Sequence, residues 1–225
     1  MLGIDWSPFL ITLKVASVTT FFLIILGTPI AFIMAHMKGL KKAVFEALVA
    51  LPLVLPPTVL GFYLLVAMGE SGPLGGLAKS FGLKPFTFSF SGLVIGSFFY
   101  SLPFALQPLM NGFEQLGKRP SETASALGAG PIDRFLSVTL PLMRRHYLIA
   151  GTLSFAHTVG EFGVVLMIGG NIPGVTKVAS IAIYDHVEVL EYDKAHILSA
   201  IMLIFSLVIL TFVYSMNRRT EVKLK

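Results

Sequence analysis

The run Val15-Ala16-Ser17-Val18-Thr19-Thr20-Phe21-Phe22-Leu23-Ile24-Ile25-Leu26-Gly27-Thr28-Pro29-Ile30-Ala31-Phe32-Ile33-Met34-Ala35-His36 contains no Asp, Glu, Lys or Arg. A bilayer core of about 30 Å needs roughly 20 mostly apolar helical residues to cross it. This run is long enough, and the chain has more like it. Ala47 to Gly69, Pro85 to Phe113 and Ala195 to Asn217 are also free of these four residue types. A fifth stretch, His146 to Thr176, is interrupted once, by Glu161. The spacing predicts an all-α integral membrane protein with spans at about 9–36, 44–68, 90–116, 144–169 and 195–216. Together they form one transmembrane domain over residues 1–225.

Composition agrees. Of 225 residues, 55% are hydrophobic and 13% charged, where soluble domains run near a quarter charged. Mean hydropathy is +0.81. The absence of cysteine excludes disulfides, thiolate metal sites and a cysteine nucleophile. The net charge of +5 and pI near 9.5 suggest an acidic partner until the charges are placed. With five spans, Lys38, Lys41, Lys42, Lys118, Arg119, Arg134, Arg144, Arg145, Arg218, Arg219, Lys223 and Lys225 fall on one side. Lys14, Lys79, Lys84, Lys177 and Lys194 fall on or near the other. Lys and Arg gather on the cytoplasmic side, so the N-terminus is expected outside and the C-terminus in the cytoplasm. The lipid bilayer then accounts for the basic balance, and no nucleic acid is invoked. The start, Met1 to Trp6, lacks a positive n-region, and the apolar run after it is too long for a cleaved signal peptide.

Six prolines interrupt the predicted helices: Pro29, Pro52, Pro56, Pro57, Pro103 and Pro108. An interior proline removes a helical hydrogen bond and crowds the preceding turn. Broken backbone at membrane depth is tolerated where protein packs on it or where it lines a wet cavity. A pathway and kinking for packing both remain open, with Leu51 to Thr58 the strongest break. Gly92 and Gly96 form a G-x-x-x-G pair, which permits close helix contact within the chain or between two copies.

The inner loop, about 117–143, is different in kind. Ser121 is placed to cap a helix, with Glu122 favourable in its first turn. Small residues follow, Gly128 to Pro131 turn the chain, Pro131 opens a second helix and Pro141 ends it. Small side chains on such a helix allow it to seat in a groove of another protein.

Glu122-Thr123-Ala124, three residues, Gly128, nine residues, then Val138-Thr139-Leu140-Pro141 resembles a motif of bacterial ATP-binding-cassette importer permeases. That motif reads Glu-Ala-Ala, three residues, Gly, nine residues, Ile-x-Leu-Pro. Thr123 and Val138 are the two departures, both small. Ser154 to Gly163, Gly170 to Thr176 and Ala182-Ile183-Tyr184 are similar to the permeases of the molybdate–sulfate–tungstate group. Asn171-Ile172-Pro173-Gly174 and Ala182-Ile183-Tyr184 favour molybdate within it.

The resemblance implies a permease in a bacterial or archaeal inner membrane. It implies two copies of the chain, two ATPase subunits inside, and a soluble molybdate-binding protein outside. The docking segment would comprise Glu122, Thr123, Ala124, Gly128, Leu140 and Pro141. This chain has no P-loop of the G-x-x-x-x-G-K-[ST] type, so ATP and Mg belong to the partner and no cofactor is expected here. A sulfate or tungstate permease differs only in cargo and receptor. A secondary transporter would work on an ion gradient and would normally show internal repeats.

Glu161 is the costliest residue at membrane depth, and His157 lies four residues earlier, on one helical face. Two such groups are too few for a metal site or for catalysis, and no catalytic residue is assigned. A structural pair is expected, with Glu161 bonded to backbone of the broken helices or to the other copy, steadying a gate-bearing segment. Thr58, Ser97, Ser101, Gln107, Asn111, Ser154 and Thr158 are hydrogen-bond donors at plausible depths for an anion pathway, or for bonds between helices. Thr58, Ser154, Thr158 and Glu161 are the leading pathway or gate candidates. An outer helix is expected near residues 178–189, apolar along Val178, Ile181, Ala182, Tyr184 and Val189. Asp185, Glu188 and Glu191 are expected to face water.

Overall fold

A computed structural model describes residues 5–221. Met1 to Ile4, Lys223 and Lys225, used above for topology, lie outside the described residues. Those residues form helices and connections, with no strand among them. In chain order they are α1 (Ser7–Ala35), α2 (Gly39–Val54), α3 (Pro57–Met68), α4 (Pro73–Ser80), α5 (Phe90–Leu116), α6 (Arg119–Ala126), α7 (Pro131–Asp133), α8 (Leu140–Val159), α9 (Gly163–Gly169), α10 (Ala179–Glu188) and α11 (Tyr192–Glu221). A π-helical segment, Arg134–Thr139, joins α7 to α8.

Among the described residues three helices are long and apolar enough to cross a bilayer unbroken: α1, α5 and the Tyr192–Thr211 part of α11. Two further segments are bent pairs. Gly39–Val54 and Pro57–Ser80 meet at 111°, and Pro131–Val159 and Gly163–Gly169 at 63°. Counting each pair as one span makes five. The regions expected as single helices at 44–68 and 144–169 are therefore each broken. The first break falls at Leu55-Pro56, where Pro56 lacks an N–H and the next helix restarts at Pro57. The second falls at Gly160 to Phe162, without proline. Pro29, Pro52, Pro103 and Pro108 lie inside continuous helices.

The short second limbs of the bent pairs pack on each other. A Cβ added to Gly61 of α3 would lie 2.8 Å from Met167 Cβ and 3.3 Å from Val164 Cα of α9. One added to Gly163 would lie 2.8 Å from Pro57 Cβ. The other face of α9 meets α5, where a Cβ on Gly96 would be 2.5 Å from Ile168 Cδ1. The pair Gly92 and Gly96 is thus spent on contacts within the chain. The G-x-x-x-G dimer contact left open by the sequence has no free face there.

The central core lies among α1, α5 and α8, around Ala31, Met34, Leu106, Leu109, Phe113, Met143 and Ala150. A second cluster joins Ile11 and Val15 of α1 to Leu93, Val165, Val178 and Ile181. At this end Thr12 Oγ1 accepts from Ala179 N at 2.8 Å, tying α10 to α1. At the opposite end Lys42 donates to Glu114 at 2.7 Å, tying α2 to α5.

These contacts generate a paired test. Gly61→Val is expected to destabilise the purified protein by roughly 1–3 kcal/mol through overpacking, read as a lower thermal midpoint in detergent. A Cβ on Gly76 of α4 meets open space, so Gly76→Ala is expected to be neutral or stabilising by about 0.5–1 kcal/mol.

Candidate functional site

The loop at about 117–143 folds as an elbow, built from α6, α7 and the π-helical segment, and it begins at α6. Lys118 occupies the N-cap position and Pro120 the first turn, so the helix starts before Ser121. The Ser121 cap expected from sequence is corrected: proline's fixed φ suits the first turn, and the helix starts three residues earlier, after Lys118. Glu122 does sit in that first turn. Thr123 Oγ1 donates to Arg119 O at 3.0 Å, a bond within the helix. Ala129 N donates to Ala124 O and Gly128 N to Ser125 O, each at 3.0 Å, closing the end of α6. Gly128 has φ +90°, with open space where a Cβ would stand.

Pro131 then opens α7 as expected. Pro141 does not end a helix. It lies in the first turn of α8, which continues directly from the π-helical segment, because a proline there needs no hydrogen-bonded N–H. The helical chain consequently runs unbroken from Pro131 to Val159. The elbow is one end of a rod whose other end is the break at Glu161. No residue of α6 or α7 is buried. Leu127, Ile132 and Leu136 are 84%, 74% and 55% exposed, and form an apolar tip to the elbow that the motif did not single out. Glu122, Thr123, Gly128, Leu140 and Pro141 are also exposed, while Ala124 is half-buried.

The expected pathway residues divide. Ser101 Oγ lies 2.9 Å from Thr158 Oγ1 and 2.8 Å from His157 Nδ1. Thr158 Oγ1 also donates to Ser154 O at 2.9 Å. Ser101 and Thr158 therefore tie α5 to α8 inside the chain. Ser97 and Ser154 are buried; the Ser97 hydroxyl faces the Glu161 carboxyl, whereas that of Ser154 has no hydrogen-bond partner among the described residues. Thr58, Gln107 and Asn111 are exposed. Thr58 lies in the first turn of α3, next to the break at Pro56.

Glu161 is 4% exposed and sits in the second break. The Ser97 hydroxyl of α5 faces its carboxyl group. On the main chain, Ser180 Oγ donates to Glu161 O at 2.6 Å. The expected His157–Glu161 pair does not form. α8 ends at Val159, so the four-residue spacing no longer places the two on one face. His157 is instead stacked on Phe104, with ring centroids 4.0 Å apart.

The outer surface also differs from expectation. Val178, Ile181 and Ala182 are buried, whereas Tyr184 and Val189, expected on the same side, are exposed. Asp185 does not simply face water. It pairs with Lys177 and accepts from Asn171 Nδ2 at 3.0 Å on both oxygens. Asn171 is in the left-handed region, at φ +55°, which an Asn tolerates better than most residues. Glu191 is held below the usual carboxylate range by hydrogen bonds from Lys194 and His186. No group of three or more His, Cys, Asp or Glu side chains placed to hold a metal occurs among the described residues.

Comparison with known proteins agrees with this architecture. The alginate importer of a bacterium has a solved structure whose chain superposes with a TM-score of 0.74 at 16% identity, over 95% of this chain and 78% of that one. At that identity the likeness speaks for the fold: an all-α membrane permease core. The molybdenum transport system permease protein ModB of Azotobacter vinelandii is 54% identical over 95% of each chain. That of Escherichia coli K12 is 34% identical over 82% of this chain and 80% of its own. A probable sulfate transport system permease protein of Chlorella vulgaris is 31% identical over 89% of this chain and 75% of its own. Residues 27–225 match the family described as binding-protein-dependent transport system inner membrane component, and the chain belongs to that family.

Proposed function

We propose that this chain is the membrane-spanning subunit of an ATP-driven importer that carries molybdate into the cytoplasm. The observation that carries the reading is the elbow: an exposed, apolar-tipped docking segment, rigidly continuous with the helix that ends at Glu161. A force applied at Leu127, Ile132 or Leu136 travels along α8 to the second break. It reaches α9 there, and α3 through the contact of Gly61 with Met167. Motion at the inner surface is thereby delivered to both broken segments at once. Alternating access follows if the bundle has two packings of these limbs.

In this reading two copies of the chain enclose the pathway, and two ATPase subunits grip the elbows through Glu122 to Gly128. ATP and Mg are bound by those subunits. A soluble molybdate-binding protein delivers the anion at the outer face, near Asn171 and Asp185. Lys42, Lys118 and Arg134 lie at the elbow end, and Lys177 and Lys194 at the other. The greater number of basic residues at the elbow end supports a cytoplasmic elbow and C-terminus. Thr58, Gln107 and Asn111 are exposed donors suited to a hydrated oxyanion, which must be held weakly enough to leave. Glu161 holds the gate-bearing limb rather than touching the cargo, since a fixed carboxylate repels an anion. The sulfate permeases among the relatives keep sulfate as the second cargo to be tested.

Reconstitution with the ATPase and the binding protein is expected to give molybdate uptake that needs both ATP and the receptor. Uptake driven by an ion gradient without nucleotide would overturn the reading, and preference for sulfate would reassign the cargo. Gly128→Trp forces a bulky residue into φ +90°, a strain of about 1–2 kcal/mol. Uptake per ATP hydrolysed is expected to fall about tenfold, or the ATPase to dissociate; unchanged coupling would count against docking at this elbow. Glu161→Gln keeps shape and removes charge. Intact assembly with uptake lowered severalfold is expected, and undiminished uptake would remove the role given to its carboxyl group.

A further inference from the structure

A cavity of about 1060 Å³ lies between α1 and the elbow. Its long wall is apolar: Ile24, Ile25, Pro29, Phe32 and Ile33 of α1, facing Phe113, Phe135, Leu140 and Tyr147. Arg134 lines it from the elbow side. Arg134 has no ion-pair partner among the described residues. A smaller adjoining cavity of about 300 Å³ shares Phe32, Phe113, Ser121 and Thr139 and adds Lys118, His36 and one acid, Glu122.

The dimensions are those of one leaflet. From Ile24 to Ile33 a helix rises about 13.5 Å at 1.5 Å per residue. Half of a bilayer core is about 15 Å. The groove thus starts near the middle of the membrane-crossing helix α1 and ends at the elbow. Its apolar length lies where acyl chains lie, and its guanidinium lies where headgroups lie. An apolar trough one leaflet deep, closed by a planar cation suited to phosphate, has the shape and charge of a phospholipid.

We infer that this groove binds one anionic phospholipid of the elbow-side leaflet, its chains along α1 and its phosphate on Arg134. A lipid seated there touches both α1 and the π-helical segment, and so braces the elbow against α1. The inference concerns lipid and does not rest on the nature of the cargo.

The test uses the full chain with any subunits that co-purify. It is delipidated in mild detergent and titrated with phosphatidylglycerol or phosphatidylcholine of identical chains, and bound lipid is counted per copy by native mass spectrometry. One phosphatidylglycerol per copy is expected, held about tenfold more tightly than phosphatidylcholine. Arg134→Gln is expected to abolish that preference while phosphatidylcholine retention persists, which separates a lost headgroup contact from misfolding. Arg134→Lys should keep most of the preference, and Lys79→Gln should leave it intact. Thr28→Trp, which fills the groove, should lower retention of both lipids. Equal retention of the two lipids would overturn the inference, as would an unchanged preference in Arg134→Gln or displacement by glycerol phosphate lacking chains. Exclusion of both lipids by a second copy or a partner subunit seated in the groove would overturn it as well.

Discussion

Within a bilayer there is no water to satisfy a main chain that leaves the helical path, so every helix break must be sealed by protein. Two breaks organise this bundle, and each is sealed by the limb of the other. At the first, Pro56 presents no N–H, and Val59 and Leu60 return hydrogen bonds to its carbonyl at 2.9 and 3.3 Å. At the second, Gly160 N reaches Ala156 O and Glu161 N reaches Thr158 O, both at 3.3 Å, and Ser180 caps the Glu161 carbonyl. The glycines at 61 and 163 bring α3 and α9 close enough to cover the remaining surface. Remove that closeness and two kinks in separate spans lose their cover together.

Much of this was readable in the linear sequence because charge and length are one-dimensional quantities. Charge-free runs located the membrane segments, and Pro56-Pro57 located one break. The spacing from Glu122 to Pro141 located the elbow. What escaped depended on geometry between elements. Pro141 reads as a helix end, yet at the start of a helix the same ring is tolerated. His157 and Glu161 read as partners only while α8 is assumed to continue past Val159. Glu161 read as a cost to be borne by a helix, whereas it stands where the helix stops. Asp185 read as solvent-facing because nothing local announces Asn171 and Lys177 beside it. In the linear sequence the donors on α5 and α8 suit pathway and packing equally. Ser101 bonds to His157 and Thr158 across α5 and α8, and the division between buried and exposed donors emerges only from the fold.

The interior polar inventory is uneven in a way that suits a moving part. Ser101 and Thr158 are fully engaged, whereas the hydroxyls of Thr19 and Ser154 are buried without partners among the described residues. An unmet buried polar group costs free energy. A second packing of the limbs that satisfied some of these groups would gain part of that cost back, which narrows the gap between two arrangements of the bundle. The α5–α8 contacts act oppositely and hold the frame.

The π-helical segment between α7 and α8 has one further consequence. Leu140 N bonds to Phe135 O, five residues back, so the ladder there carries one residue more per turn than an α-helix needs. Such a surplus residue can migrate along a rod without breaking it, and the residues it passes turn by roughly the 100° that separates neighbours. The knob formed by Leu127 and Ile132 is therefore joined to α8 through a stretch whose register can slip by a residue while the helix from Pro131 to Val159 stays whole.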